Sequence, residues 1–408
     1  MRDHVELGKE LDLFHQSPLV GKGLPLMTPR GTDVLRVMKR YIEDEELSRG
    51  YQFTSTPFLA SAELYKVSGH WDLYRDSMFL IPDGEGDGLA LRPMTCPFQF
   101  QIYNRKIHSW RDLPVRLAET STLFRNEASG ALHGLIRTRQ FTLSEGHIVC
   151  RPDQVDEEFL GALDLVGTVM AAVGIQKYWY RFSRWDPDHR NKYIDDPEAW
   201  DRTEATLRRL LDKTGVPYVE AVGEAAFYGP KLDIQVTDAW GRDETLFTLQ
   251  LDFALAGRFD MGYIDKEGNR ALPLIIHRSS IGCYERTLAL VLELHQGRLP
   301  FWMAPEQVRI LVLGQALEPA EALRRDLVKA GIRCTVDQRP ESLGRKIHDG
   351  RDLMVPLLAV MGDQEAEAGT VGWRTLEGVR GSCPTASFVA DCRGATEAKT
   401  QDFLITGS

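Results

Sequence analysis

The stretch Ser121–Cys150, STLFRNEASGALHGLIRTRQFTLSEGHIVC, reads as two β-strands joined by a loop rich in Glu, Ser and Gly. Alternation along the second strand puts Arg137, Arg139, Phe141, Leu143, Glu145 and His147 on one face. A face carrying two guanidiniums, a carboxylate and an imidazole is too polar for ordinary core. Its charges suit an anionic substrate at one end and a metal or an amine at the other.

Outward from this stretch, the next segments alternate between core and available faces. Asp156–Val173 sets Phe159, Leu160, Leu163, Val166, Val169 and Met170 on a helical face ended by Gly174, which is core packing. Residues 187–215 are charged and helical. In AAFYGPKLDIQV an exposed turn, Tyr228-Gly-Pro-Lys231, enters a strand. ETLFTLQLDFAL has a clear period of two, with Phe247, Leu249, Leu251 and Phe253 facing one way and Thr248, Gln250 and Asp252 the other. PLIIHRSSIGCYERTLALVLELH runs from a buried strand through Gly282 into an apolar helix, so Arg286 falls in the first turn. A cation there opposes the helix dipole unless an anion sits nearby.

On the amino-terminal side, residues 1–30 hold a short acidic helix and a Gly- and Pro-rich loop. Thr32–Arg49 is an amphipathic helix stopped by Gly50, and Tyr51–Phe58 is β-rich, with Pro57 confining it to a sheet edge. Residues 78–103 suggest a hairpin around PDGEGDG leading into RPMTCP and Cys96. Leu299–Pro305 marks a boundary. Beyond it, Val308–Leu313, Pro319–Ala330, Ile332–Val336, Ser342–Leu353 and Pro356–Met361 alternate as strand, helix, strand, helix, strand, a compact α/β unit.

The 408 residues suffice for two or three domains, and 43% hydrophobic with 26% charged content is that of a soluble globular protein. A formal charge of -10 excludes a general polyanion-coating protein and confines any nucleic-acid contact to a local patch. The six cysteines show no CxxC pairing, which points to a reducing cytosol. The charged start MRDHVELGKELDLF lacks a signal core, and no run approaches the ~18 apolar residues of a membrane span. These features predict a cytoplasmic protein.

Arg125, Arg137 and Arg286 each read alone as surface or salt-bridging arginines. Together with Glu127 they could hold a polyphosphate, since guanidinium forks bind phosphate oxygens in pairs. Read alone, Cys96 is a buried thiol, His147 a polar strand histidine and His277 a hydrogen-bonded core histidine.

In order along the chain, MRDH, GKELDLFH, SGHWDLYRDSMF, RPMTCP, RDLPVRLAE, FRNEASGALHGLIRTRQFT, HIVC, FYGPKLD, LQLDF, IIHR, G-x-x-ER, GIR and GDQEAEAG make a pattern that resembles the class II aminoacyl-tRNA synthetases, and most closely the threonyl-tRNA synthetases. The resemblance implies an α+β fold. Its antiparallel catalytic sheet would lie in residues 1–303 and an α/β anticodon-binding-like domain in 304–408. It also implies a homodimer formed through the first class motif at Pro57, and a start at the catalytic domain with no editing domain before it. By resemblance Arg125 and Glu127 belong to the second motif and Arg286 to the third. Arg125 would meet the α-phosphate of ATP, Arg286 the bent triphosphate, and Phe141 the adenine, with Arg137 and Gln250 also at the nucleotide. Leu143, Glu145, Tyr228, Lys231 and Gln250 would line the amino acid pocket. Cys96, His147 and His277 would hold Zn²⁺ with one position open, Mg²⁺ would accompany ATP, and His70 would move a proton near the tRNA ribose.

The implied activity is ATP-dependent activation of threonine and transfer to the 3′ end of tRNA. Valine, lacking a hydroxyl, is rejected strongly, whereas serine differs by a methyl worth only ~1–3 kcal/mol. Several positions differ from the family pattern. Leu143, Ser144 and Glu145 stand where Gln-Asp-Asp is usual, Phe98 and Gln99 where Gly-His follows Cys-Pro, and Thr245 where a glutamine is common. Pro340 and Leu376 replace polar anticodon readers, whereas Glu365 matches. Arg324, Arg325, Lys329, Arg345, Lys346 and Arg351 are candidate phosphate contacts. The pocket changes support a second reading, a paralogue that adenylates another hydroxylated amino acid for an atypical tRNA or a carrier protein. A third, a tRNA-binding module that has lost activation, conflicts with the intact arginines and Cys/His set.

Overall fold

The computed structural model describes residues 1–84 and 86–400, so Glu85 of the PDGEGDG turn and residues 401–408 of the carboxy-terminal unit lie outside the described residues. Among the described residues the larger sheet has eight strands, ordered Tyr218–Val222, Trp179–Arg184, Lys231–Thr237, Asp243–Asp252, Leu274–Cys283, Gln140–Cys150, Val115–Phe124 and Gln52–Phe53. The pairings between Trp179–Arg184 and Val115–Phe124 are antiparallel, and the outermost strand at each edge is parallel to its neighbour. Central register pairs His147 with His277 and His277 with Gln250, which sets three polar side chains across adjacent strands on one face.

The other face is covered by helices. Phe247, Leu249 and Leu251 enter the main core with Phe159, Val166 and Val169 of the Val155–Val173 helix and Leu288 and Leu292 of the Tyr284–Leu294 helix. The period of two in Asp243–Asp252 therefore divides the strand into a core side and a site side, as expected. Phe253 departs from it: the strand ends at Asp252, and the ring packs edge-on to Trp200 at 5.2 Å.

Two expected strands are shorter than their composition suggested. Gln52–Phe53 is the part of Tyr51–Phe58 that pairs with the sheet; the Thr54 amide still donates to the Ala118 carbonyl at 2.9 Å, and the ladder ends where the Thr56 amide and hydroxyl turn onto the buried Glu119 carboxylate. Pro57 lies beyond the strand rather than in it. The second central strand begins at Gln140, since His133 and Arg137 close a tight turn through Arg137 N–H to His133 carbonyl at 3.1 Å. Arg139 consequently leaves the site face and its guanidinium donates to the Glu127 carbonyl at 3.1 and 3.2 Å.

Gly282 is required where the Leu274–Cys283 strand turns into the helix bearing Arg286. It has φ +66°, and a Cβ there would meet the Leu246 carbonyl oxygen at 2.0 Å. The irregularity just before it is held by Ser144, whose hydroxyl accepts from the Ser280 and Ile281 amides at 3.0 and 2.9 Å.

A short helix, His70–Tyr74, follows Ala62–Ser68 where the sequence offered only a polar-aromatic stretch, and Cys96–Tyr103 is helical rather than an arm of a hairpin. Leu80–Ile81 and Leu89–Leu91 do form the hairpin. Core residues from Val308 onward, with Phe301, make a second cluster. Its sheet orders Cys334–Asp337, Val308–Val312, Leu357–Met361, Thr370–Thr375 and Arg380–Pro384, the first three parallel and the last two antiparallel. Helices Leu317–Lys329 and Leu343–Asp352 fall where the pattern placed them, while the last two strands and the Thr385–Glu397 helix had no sequence expectation. No helix among the described residues is long and apolar enough to cross a membrane.

Candidate active site

A cavity of about 470 Å³ opens on the polar face of the eight-stranded sheet. Arg125, Glu127, Arg137, Phe141, Thr245 and Arg286 line it, together with His70, Cys96, Leu143, Glu145, His147, Tyr228, Lys231, Gln250 and His277. The candidate nucleotide, amino acid and metal residues named from the sequence, with His70, thus meet in one depression, although they come from strands, helices and loops spread over more than two hundred residues.

The cationic end rests on backbone anchors. Arg286 Nε donates to the Ile136 carbonyl at 3.0 Å and Nη1 to the Thr245 carbonyl at 2.9 Å, so the fork is fixed by two carbonyls while its charge has no carboxylate partner among the described residues. Arg125 lies 5.0 Å over the Phe141 ring and 5.9 Å from Tyr74, and its buried Nε has no partner among the described residues. Arg137 is tied to Glu127 at 2.9 Å. Two guanidiniums with unspent donors in one cavity, with Arg125 over an aromatic ring, have the chemistry to receive a phosphorylated planar base.

At the other end, Cys96, His147 and His277 are all buried and place their ligand atoms within 4.8 Å of one another. His147 turns Nδ1 to Gln99 Oε1 at 2.6 Å, and its buried Nε2 has no hydrogen-bond partner among the described residues. His277 turns Nε2 to the Asp252 carboxylate at 2.8 Å, leaving Nδ1 toward the cavity. An outer partner on each imidazole and an orphaned inner nitrogen are the support that metal-binding histidines receive. Burial drives the His147 pKa well below the usual imidazole value, which keeps a lone pair available. Burial, aided by Glu145 and Asp252, pushes the Cys96 thiol up, so a bound cation is what would hold it as thiolate. The set fits a divalent ion of zinc type.

Between the two ends, Tyr228 stacks on His277 at 4.8 Å and its hydroxyl bonds Gln250. It is half-buried rather than exposed, because the turn folds back over the cavity. Lys231 Nζ lies 3.1 Å from Asp233, which also takes Arg181 and Ser183. Glu145 accepts from the Thr95 amide at 3.0 Å, and burial raises its pKa against that bond. His70 is buried, with Nδ1 2.7 Å from the Ser68 hydroxyl and its ring edge-on to Phe227 at 5.0 Å. Burial, then the charges of His277, Arg258 and Arg125, lowers its pKa to about 3, so it stays neutral across ordinary pH.

Asp252, Gln99 and Asp233 were not foreseen in these roles. The polar face of ETLFTLQLDF was a signal for Asp252, but Gln99 and Asp233 lie in apolar helical and strand segments whose pattern hides them. In the carboxy-terminal unit, Lys346 is no phosphate contact: its ammonium is buried and donates to the Val312 and Asp337 carbonyls at 2.7 and 3.1 Å. Arg324, Arg325 and Lys329 sit in pairs with Glu321, Glu318 and Asp326, and Arg351 donates to the Leu376 carbonyl.

Residues 76–295 match the tRNA synthetase class II core domain (G, H, P, S and T), and residues 307–388 match the anticodon binding domain. A threonine–tRNA ligase from Clostridium perfringens is 52% identical over 397 residues, covering 95% of this chain and 61% of the relative. Threonine–tRNA ligase 1 of Bacillus subtilis is 46% identical over 91% of this chain and 58% of its own length. The chain therefore spans about three fifths of the relatives it matches. A solved structure, the RNA binding domain of threonyl-tRNA synthetase from Cryptosporidium parvum, superposes with a TM-score of 0.91 at 32% identity and 99% coverage of both chains. A prolyl-tRNA synthetase from Giardia lamblia, at 19% identity and a TM-score of 0.75, shares the fold. With a class II core over more than half its length, and a solved relative matched from end to end, the chain belongs to the class II aminoacyl-tRNA synthetases, in the threonyl-tRNA synthetase family.

Proposed function

We infer that this chain activates threonine with ATP and transfers it to the 3′ end of tRNA. The observation that carries the reading is the layout of one cavity, lined together by two arginines, of which Arg125 lies over the Phe141 ring, and a Cys/His/His set with an orphaned nitrogen. That layout matches an aminoacyl adenylate, with nucleotide at one end and amino acid at the other.

In the first step a carboxylate oxygen of the amino acid forms a bond to the α-phosphorus as the bond to pyrophosphate breaks. Arg125 and Arg286 neutralise the phosphates and hold them in line, and Mg²⁺ accompanies the triphosphate. Phe141 offers its ring to adenine. Zn²⁺ held by Cys96, His147 and His277 would supply a Lewis acid to the amino acid's amine and hydroxyl. Glu145, Tyr228, Lys231 and Gln250 surround that end, so valine would leave buried polar groups unpaired whereas threonine satisfies them.

In the second step a terminal ribose hydroxyl displaces AMP. His70, a neutral imidazole, accepts a proton there. His70→Ala is expected to leave ATP–pyrophosphate exchange nearly unchanged while slowing transfer to tRNA ~10²-fold. Equal losses in both half-reactions, measured by single turnover, would remove His70 from the transfer step.

Residues 304–408 are read as a separate anticodon-side domain, with half-buried Arg324 and exposed Arg325 and Lys329 free to exchange their carboxylate partners for phosphate. A homodimer through the sheet edge is supported by the exposed apolar Leu47, Phe53 and Phe58. A cytoplasmic setting, where ATP and tRNA meet, goes with this reading. The test is amino-acid-dependent ATP–pyrophosphate exchange over a panel, followed by charging of bulk tRNA. Exchange with threonine is expected; exchange only with another hydroxylated amino acid, or none, overturns the reading.

A further inference from the structure

The hydrogen bonds that reach His147 run in one direction, and the direction starts at an ion pair. Arg92 Nη1 lies 2.8 Å from Glu119 Oε1, with both side chains buried, so Glu119 is a carboxylate that can only accept. Thr54 Oγ1 lies 3.0 Å from Glu119 Oε2 and 3.3 Å from the Ala118 carbonyl. Both neighbours are acceptors, so the one hydroxyl proton of Thr54 is committed to them. Gln99 is fully buried and its amide approaches Thr54 Oγ1 at 2.8 Å. With that hydroxyl proton spent, the Gln99 end facing Thr54 must be the NH₂ group. The oxygen end then faces His147 Nδ1 at 2.6 Å, and an oxygen there requires Nδ1 to carry the ring proton. Nε2 is left as a bare lone pair, and Nε2 is the buried atom with no partner among the described residues.

We propose that Thr54 and Gln99 are positioning residues that transmit the polarity of the Arg92–Glu119 ion pair to His147, holding its imidazole in the Nδ1–H tautomer with Nε2 free for a divalent cation. The metal part rests on reading Cys96, His147 and His277 as a zinc site; the tautomer part does not. Thr56 reinforces the anchor, since its hydroxyl lies 3.1 Å from both Glu119 oxygens and takes Arg92 Nη1 at 2.6 Å. The relay joins the metal end of the cavity to the segment following the edge strand Gln52–Phe53, two strands over from the one that carries His147. Buried polar chains of this kind act as a unit, so breaking the middle frees both ends.

The test pairs Thr54→Val, which removes the hydroxyl and lets the amide turn over, with Thr54→Ser, which keeps it. In metal-free protein carrying ¹⁵N-labelled histidine, the native chain and Thr54→Ser should show His147 protonated at Nδ1, whereas Thr54→Val should show Nε2–H or a mixture. Competition with a chromophoric chelator should show zinc affinity falling roughly 10–100-fold in Thr54→Val and unchanged in Thr54→Ser. Should Thr54→Val not fold, Gln99→Leu, which removes the oxygen facing Nδ1, is expected to lose the single Nδ1–H signal and to weaken zinc to a similar degree, and an unchanged tautomer and affinity in that variant overturns the relay. Native protein with His147 at Nε2–H, or Thr54→Val with unchanged tautomer and zinc affinity, overturns the relay. Native protein with Nδ1–H that takes up no zinc leaves the relay standing and overturns the metal reading alone.

Discussion

Arg286→Ala should depress amino-acid-dependent ATP–pyrophosphate exchange by roughly 10²–10³-fold, the usual cost of deleting one preorganised donor aimed at developing charge. The guanidinium is held by the Ile136 and Thr245 carbonyls, so its charge is oriented before substrate arrives and little reorganisation is left for the reaction. Arg286→Lys should rescue little. A lysine has a single ammonium on a flexible stem and cannot bond both carbonyls while still presenting a donor to phosphate. The loss should appear in kcat together with the KM for ATP, with the KM for threonine spared. Exchange at the native rate in Arg286→Ala would mean that Arg125 alone grips the triphosphate.

Cys96→Ala should release the metal. Deleting a direct ligand costs more than the roughly 10–100-fold in affinity that loss of an outer partner such as Gln99 brings. The native chain is expected to keep about one zinc equivalent after dialysis against a chelator, and Cys96→Ala none, with threonine-dependent exchange falling alongside. The thiol is buried beside Phe100 and Tyr103, and deleting its sulfur removes few contacts, so the thermal transition of metal-free protein should move little. A full equivalent of zinc retained by Cys96→Ala would place the ion elsewhere. The group of exposed His348 and Asp352 with half-buried Asp349 is the competing location, although Asp349 is already paired with Arg339 and Arg345.

Much of the site could be read before folding because two strands carry it in a period of two. Phe141, Leu143, Glu145 and His147 alternate outward in one strand, Thr248, Gln250 and Asp252 in another, and pleating alone puts each set on one face. The reading failed where a turn interrupted the period. Arg137 and Arg139 follow the same odd-number rule on paper, yet the His133 turn breaks the register and sends Arg139 to the Glu127 carbonyl. Thr56 looks like a strand residue by composition, but its amide and hydroxyl go to a buried carboxylate on the neighbouring strand, and the ladder stops after the Thr54 amide.

The residue order alone predicted the period of two in Asp243–Asp252 and in Phe141–His147, the apolar face of Val155–Val173 and the strand–helix alternation from Val308 to Met361, because those properties depend on neighbours two to four positions away, and it missed the Cys96–Tyr103 helix and the last two strands. The residues themselves did not show that Cys96 meets His147 and His277, which only the family resemblance implied, and tertiary structure alone decided that Asp252 and Gln99 hold the outer nitrogens of the two imidazoles and that Lys346 is buried rather than offered to phosphate. Those partners lie 25 to 48 residues from the histidines they orient. Only strand pairing and helix docking bring such distant groups within hydrogen-bond range, and no local pattern encodes that approach.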